Sequence, residues 1–293
     1  MSNPRVGSVQ ANGIRFSTIE EGDGPLVLCL HGFPDHAQSF RHQLPALATA
    51  GFRAVAPFMR GYAPSTFAAD GHYQTATLAL DVIELIQALG HDAAYVFGHD
   101  WGALAAYGAA IIAPQRVKKL VTAAVPHGPT VLNAFLTSYE QERRSWYMFF
   151  FQTPFAEAAV AHDDFRFLEC LWRDWSPGWQ PPKEVLESLK ETFRTPGVLQ
   201  AALAYYRCTL NPANQDPTLA DLQARLGLSP IEVPSLVFHG ARDGCMGVEL
   251  LEGMEALFPG GLRKVVVPDA GHFVHQERPQ IVNAQLLDFL AAG

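Results

Sequence analysis

The stretch GHDWG at residues 98–102 decides the fold of this 293-residue chain. The residues before it, 93–97 (AAYVF), are apolar and predict a buried strand. Residues 103–113 follow as a run of small and apolar side chains that ends at a proline, which predicts a buried helix. A strand, a glycine-flanked turn and a helix are the context of a nucleophile elbow, G-x-S-x-G. Here the central residue is Asp100 instead of serine.

Strand-like and helix-like segments alternate on both sides of this elbow. Residues 6–20 predict a hairpin, because Asn12-Gly13 is a turn signal followed by alternating apolar positions. Further strands are predicted at 26–30, 53–57, 119–124, 235–240 and 264–267, and helices at 40–50, 75–89 and 279–290. The alternation predicts an α/β fold with a mostly parallel central sheet flanked by helices.

This alternation stops between the third and fourth of these further strand segments, 119–124 and 235–240. Residues 129–215 contain aromatic-rich and helical segments broken by prolines, and no strand is predicted there. We therefore expect an α-helical cap, or lid, at residues 129–215. It would be inserted into a core formed by residues 1–128 and 216–293.

Composition excludes several classes of protein. Hydrophobic residues make up 48% of the chain, enough for a core, and a net charge of −8 without a basic run gives no support for binding nucleic acid. The N-terminus lacks a signal-like apolar stretch, and no uninterrupted run predicts a membrane span. Four scattered cysteines predict free thiols in a reducing compartment, which favours the cytoplasm. No His/Cys spacing predicts a metal site, and no feature of the sequence specifies an oligomeric state.

Two later residues complete a constellation with Asp100. Asp243 and His272 each follow a predicted strand, where a parallel sheet places its functional groups. Nucleophile, acid, then histidine is the chain order of a hydrolase triad, in which Asp243 would hold His272 in one tautomer. Taken alone, Asp243, which stands between Arg242 and Gly244, is more typical of an ordinary turn. Its position before His272 favours the triad.

An aspartate nucleophile predicts different chemistry from a serine. Its carboxylate has a reference pKa of about 4 and is ionised without a base. It can displace a leaving group at an activated sp3 carbon and form an alkyl ester. His272 would then activate water to attack that ester, while the backbone N–H groups of Phe33 and Trp101 hold the oxyanion.

With these motifs in view, the sequence resembles the epoxide hydrolases of the α/β-hydrolase superfamily. The H-G-x-P loop stands at 31–34, and 60–65 (RGYAPS) is similar to the family's R-G-Y-G-x-S segment, with Ala63 in place of glycine. The resemblance implies a cis Phe33–Pro34 bond, contacts of Phe33 and Trp101 with substrate, and no cofactor. It also implies that Tyr147 and a second tyrosine, Tyr206 or its neighbour Tyr205, protonate the opening epoxide. Of these two tyrosines, Tyr206 fits better. The expected reaction converts a lipophilic or aryl epoxide to a vicinal diol.

Two other functions compete with this hypothesis. In a haloalkane or haloacid dehalogenase on the same scaffold, Trp101 could donate its indole N–H to a halide. Phe33, however, stands where the haloalkane enzymes carry a second donor, and fluoroacetate dehalogenases have Arg at the position of Trp101. A non-catalytic receptor with the hydrolase fold is the other alternative, although a binder has no need of His272. Tyr147 and Tyr206 could also be simple core residues, since aromatic-rich helices usually are.

Overall fold

A computed structural model describes residues 4–292, in which eight strands form one sheet. The strands are β1 Arg5–Ala11, β2 Ile14–Glu21, β3 Leu26–Leu30, β4 Arg53–Pro57, β5 Ala94–His99, β6 Val117–Ala123, β7 Ser235–Gly240 and β8 Leu262–Val267. Their order in the sheet is β1-β2-β4-β3-β5-β6-β7-β8. β1 and β2 pair antiparallel, β2 pairs antiparallel with β4, and all remaining pairs are parallel. The predicted mostly parallel sheet is confirmed.

Two interior strands of the sheet, β3 and β7, are continuous apolar runs for a physical reason. β3 and β7 are buried at every residue, because helices cover both faces of the sheet. The opening hairpin has the register Ala11 opposite Ile14, which leaves Asn12-Gly13 as its turn. Both turn residues have positive φ, of 42° and 74°, as a two-residue hairpin turn requires.

Twelve helices surround or extend this sheet in the described residues. They are α1 Gln43–Thr49, α2 Thr75–Ala88, α3 Trp101–Ile112, α4 Pro129–Thr137, α5 Tyr139–Arg144, α6 Trp146–Phe150, α7 Ala156–Trp175, α8 Lys183–Arg194, α9 Val198–Leu210, α10 Ala220–Leu226, α11 Val274–Glu277 and α12 Pro279–Ala291. The helix predicted at 40–50 is wrong at its start, since Ala37–Phe40 forms a separate 3-10 turn and α1 begins at Gln43. Pro45 then lies in the first turn of α1, where its missing N–H removes no helical hydrogen bond.

Helices α4 to α10 lie between β6 and β7, and that part of the chain, all of it described, contains no strand. We call residues 129–215 the cap, with the bounds proposed from the sequence. α7 is interrupted at residues 163–165, where three consecutive residues have φ between 51° and 60°. The Asp164 carboxylate accepts two hydrogen bonds from Arg194, at 2.8 and 2.6 Å, and Phe165 packs on Phe193. These contacts with α8 hold a left-handed turn that is unfavourable for L-residues.

α10 follows the cap and packs against α2 and α3 on one face of the sheet. In the part of the chain that the structure describes, no helix combines the length and apolarity needed to cross a bilayer. The four cysteines are unpaired thiols, three of them buried.

Candidate active site

The elbow places the Asp100 carboxylate where β5 ends and α3 begins. Asp100 has φ 53°, a conformation that is rare for a non-glycine residue and typical of the sharp turn between strand and helix. A Cβ on Gly98 would collide with the Gly102 carbonyl, and one on Gly102 with the Leu30 carbonyl. The two glycines are therefore required by the close approach of strand and helix. Only 6% of Asp100 is exposed.

A second loop, at residues 31–34, approaches the carboxylate from β3. The Phe33 N–H donates to Oδ1 of Asp100 at 2.6 Å, and the Phe33–Pro34 bond is cis. A Cβ on Gly32 would collide with Oδ1 of Asp100 and with the Trp101 nitrogen, so both atoms lie beside Gly32. Of the two predicted backbone donors, Phe33 thus holds Oδ1 of Asp100 and the Trp101 nitrogen lies close by, while Oδ2 faces His272.

Asp243 and His272 come from the loops after β7 and β8, and the structure brings both to Asp100. His272 Nδ1 lies 3.0 Å from Asp243 Oδ2, and its Nε2 lies 3.6 Å from Asp100 Oδ2. Asp243 Oδ1 accepts from the backbone N–H groups of Cys245 and Met246, at 2.7 and 2.9 Å. Asp243 is thereby fixed on two sides, and it fixes the imidazole in turn.

The two carboxylates set the charge of His272. Burial lowers its pKa, but the charge of Asp243 and the contacts with both carboxylates outweigh burial, and the pKa lies well above the ordinary value. The protonated form of the imidazole is therefore favoured by its two carboxylate neighbours. Neutralising Asp100 would remove one of the two groups that hold this proton.

The cap supplies the two predicted tyrosines, both buried, with ring centroids 5.6 Å apart. The Tyr147 hydroxyl lies 3.2 Å from Cys245 Sγ, whereas the Tyr206 hydroxyl has no hydrogen-bond partner among the described residues. The neighbouring Tyr205 donates to the Arg60 carbonyl at 2.7 Å. Burial, with the charge of Asp100 among the lesser causes, raises the pKa of Tyr147 and Tyr206 well above 10, so both are proton donors.

Aromatic rings enclose the carboxylate. Phe33 packs edge-on against Tyr206, Phe151 and Phe193, with centroids 5.3 to 6.0 Å apart. The ring centroid of Trp175 lies 5.0 Å from that of His272 and 4.8 Å from that of Tyr147. The Trp172 indole N–H donates to the Pro34 carbonyl at 2.8 Å, which ties the cap to the 31–34 loop. The site is therefore lined by apolar rings, with polar groups only where chemistry is predicted.

Two further histidines near the site are neutral. Burial lowers the pKa of His31 to about 4 and that of His99 to about 3. His31 donates from Nδ1 to the Gly32 carbonyl and accepts the Met59 N–H at Nε2, which defines its tautomer. His99 Nε2 donates to the His272 carbonyl at 3.0 Å. Both contacts support the backbone of the site.

The fold also assembles two groups of possible metal ligands that sequence spacing did not show. They are Asp35, His99 and His275, and Asp243, Cys245 and His272, with donor atoms within 4.8 Å of one another. In the second group the acid and the imidazole are hydrogen-bonded to each other. In the first, the same oxygen of Asp35 accepts from Ser39 and Gln276, each at 2.6 Å.

Sequence reasoning missed two contributors to this site. Cys245 stands two residues after Asp243, and its thiol lies near both Tyr147 and His272, which are distant in the chain. His275 has no signature in the sequence, and it is fully buried. Its Nε2 lies 2.7 Å from Ser39 Oγ, and its Nδ1 has no partner among residues 4–292. The nearness of Asp35 to the 31–34 loop was the one sequence signal for this polar cluster.

Comparison with known proteins identifies relatives over nearly the whole chain. Residues 25–279 match the family described as alpha/beta hydrolase fold. Epoxide hydrolase 1 of Caenorhabditis elegans is 32% identical over 96% of this chain and 69% of its own length. Epoxide hydrolase A of Mycobacterium tuberculosis is 30% identical over 99% of this chain and 98% of its own.

Solved structures of epoxide hydrolases also resemble this chain. Epoxide hydrolase A of Mycobacterium thermoresistibile superposes with a TM-score of 0.85 at 31% identity, over 99% of each chain. An epoxide hydrolase of Bacillus megaterium superposes with a TM-score of 0.82 at 28% identity, over 97% of this chain and 99% of its own. The latter is a mutant in complex with its product, (R)-3-[1]naphthyloxy-propane-1,2-diol.

Proposed function

Because this chain belongs to the alpha/beta-hydrolase fold family, and within it to the epoxide hydrolases, we propose that it converts an epoxide to a vicinal diol through a covalent ester on Asp100. One observation carries the proposal. His272 lies between the carboxylates of Asp100 and Asp243, and two buried tyrosines of the cap feel the charge of Asp100.

Ring opening uses the free oxygen of the carboxylate. Phe33 holds Oδ1 at 2.6 Å, so Oδ2 of Asp100 attacks an epoxide carbon and the C–O bond of the ring breaks. The oxygen that leaves is an alkoxide and needs a proton. Tyr147 and Tyr206 are buried and stay protonated, and their hydroxyls bind that oxygen. One of them transfers its proton as the bond breaks.

Ester formation changes the role of His272. Asp100 has become neutral, so the imidazolium loses one of its two carboxylate neighbours and gives its proton to the tyrosine phenolate. The neutral Nε2 then takes a proton from water, and the hydroxide adds to the ester carbon. Backbone N–H groups of Phe33 and Trp101 stabilise the oxyanion. Collapse breaks the ester, and the carboxyl proton passes to the departing alkoxide. Epoxide and water are consumed, and the diol is released.

The enclosure favours an apolar substituent on the epoxide. Phe151, Phe193 and Trp175 pack around the Phe33 ring beside Asp100, and an apolar substituent gains affinity from burial among such rings. The aryl-ether product bound by the Bacillus megaterium enzyme has the same character. We therefore propose an aryl or otherwise lipophilic epoxide as substrate.

One observation supports a second candidate, a dehalogenase. The Trp101 indole N–H is buried and has no hydrogen-bond partner in the described part of the chain, so it could receive a halide. A halide leaving group needs no proton, however, and would leave both tyrosine hydroxyls without a role.

The test compares leaving groups on one preparation of the protein. We expect a diol from styrene oxide and no bromide from a bromoalkane of similar size. Bromide without diol would establish the dehalogenase, and binding without either product would favour a non-catalytic receptor.

The covalent step has its own test in His272→Gln. This variant should accumulate an adduct of one substrate molecule on the peptide that contains Asp100. Asp100→Asn is the matched control, because it should bind substrate and form no adduct. An unmodified Asp100 peptide in His272→Gln, under conditions where the wild-type protein turns over, contradicts the two-step scheme.

A further inference from the structure

Cys245 is a buried thiol inside the candidate site. It lies in the loop that carries the triad acid, and 2% of it is exposed. Its Sγ is 3.2 Å from the Tyr147 hydroxyl, a hydrogen-bond distance for sulfur in which either atom can be the donor. Nothing in the two-step scheme above uses this thiol.

The position of the thiol is fixed by hydrogen bonds on both sides of its backbone. The Cys245 N–H donates to Asp243 Oδ1 at 2.7 Å, and its carbonyl accepts from Gln141 Nε2 at 2.9 Å. Gln141 is fully buried on α5, and its Oε1 also accepts the Gly247 N–H at 3.1 Å. Gln141 therefore links the loop that carries Asp243 to α5, the helix that directly precedes α6 and its Tyr147.

The two ring-opening tyrosines differ because of this contact. Tyr147 reaches Cys245, whereas the Tyr206 hydroxyl has no hydrogen-bond partner within residues 4–292, and its ring lies against that of Trp101 with centroids 4.9 Å apart. Tyr147 is thus oriented before substrate arrives. Burial raises the pKa of the Cys245 thiol, which keeps its proton available for donation.

We propose that Cys245 is a positioning residue for Tyr147, which it orients in the free protein and whose phenolate it stabilises by S–H donation during ring opening. In that step Asp100 Oδ2 bonds to the epoxide carbon, the carbon–oxygen bond breaks, and the Tyr147 proton moves to the epoxide oxygen. The thiol keeps its proton throughout. The inference rests on the proposed ring-opening role of Tyr147.

A double-mutant cycle between Cys245 and Tyr147 tests this role. The measurement is the rate of ester formation on Asp100 in single turnover with styrene oxide, followed by rapid quenching and mass spectrometry. Cys245→Ala should lower this rate about tenfold, since it removes one hydrogen bond to a developing charge. In separate steady-state assays its KM should change little. Cys245→Ser, which replaces the thiol by a hydroxyl that can also donate, should restore most of the rate.

The decisive comparison is made in a Tyr147→Phe background, where Cys245→Ala should cause no further loss. Cys208→Ala is the matched control, because Cys208 is equally buried and its thiol contacts the Asn214 carbonyl, away from the site. Should Cys245→Ala fail to fold, Cys245→Val fills the space of the thiol and replaces it in the cycle.

Equal losses in the two backgrounds, or a serine variant as slow as the alanine variant, would overturn the positioning role. Those results require a wild-type protein that makes diol. A wild-type protein that makes none overturns the proposed function itself, so the two failures are distinguishable.

Discussion

Replacing Tyr206 by Phe removes a hydroxyl that has no hydrogen-bond partner among the described residues. Because no bond is lost, the free energy of unfolding should stay within about 0.5 kcal/mol of the wild-type value. The rate of diol formation should fall by about 10², since a positioned proton donor contributes roughly 10²–10⁴ and Tyr147 remains. That loss corresponds to about 2.7 kcal/mol of transition-state stabilisation.

Tyr205→Phe is the matched control on the adjacent residue. Tyr205 donates to the Arg60 carbonyl at 2.7 Å, so its loss should reduce the free energy of unfolding by about 1–3 kcal/mol and leave kcat nearly unchanged. Chemical denaturation and steady-state kinetics with styrene oxide measure both quantities. The reasoning is refuted if the Tyr205 variant loses diol formation while the Tyr206 variant keeps it.

Three further substitutions have defined outcomes. Burial raises the pKa of Asp35 to about 7, so native Asp35 keeps a proton that the unfolded chain releases near its ordinary pKa of about 3.9, and stability falls as pH rises through that window. Asp35→Asn should remove this pH dependence, which amounts to at most about 4 kcal/mol in the free energy of unfolding between about pH 4 and pH 7. Urea denaturation at each pH measures it, and an unchanged slope of unfolding free energy against pH would contradict the assignment. Gly32→Ala places a Cβ against the Asp100 carboxylate and should abolish ester formation; a normal rate of adduct formation would show that the loop tolerates it. Asp243→Asn should lower kcat by about 10⁴ through a misoriented His272, and a loss under tenfold would argue against that role.

The sheet was predictable because its signals are local. β3 and β7 are continuous apolar runs, and the glycines around Asp100 are required by contacts that the motif itself encodes. The start of α1 was predicted wrongly because the same apolar period covers a 3-10 turn and a helix. The break between them falls at Arg41 and His42, which belong to neither element.

The site was predictable only in part, because its chemistry depends on pairs that are distant in the chain. Asp100, Asp243 and His272 each follow a strand, and parallel topology brings such positions together. The contact between Cys245 and Tyr147 spans 98 residues and has no sequence signature. Burial of His275 depends on how α11 packs against the loop after β3, which periodicity does not reveal.

The most direct test of the account is a single turnover in ¹⁸O-labelled water with enzyme in excess over epoxide. If Asp100 attacks the epoxide and water attacks the ester carbon, the label enters the Asp100 carboxylate and the diol carries no ¹⁸O. Tryptic peptides and the extracted diol, analysed by mass spectrometry, report both positions. A labelled diol with an unlabelled Asp100 peptide would mean that water opens the ring directly, and the covalent mechanism would be wrong.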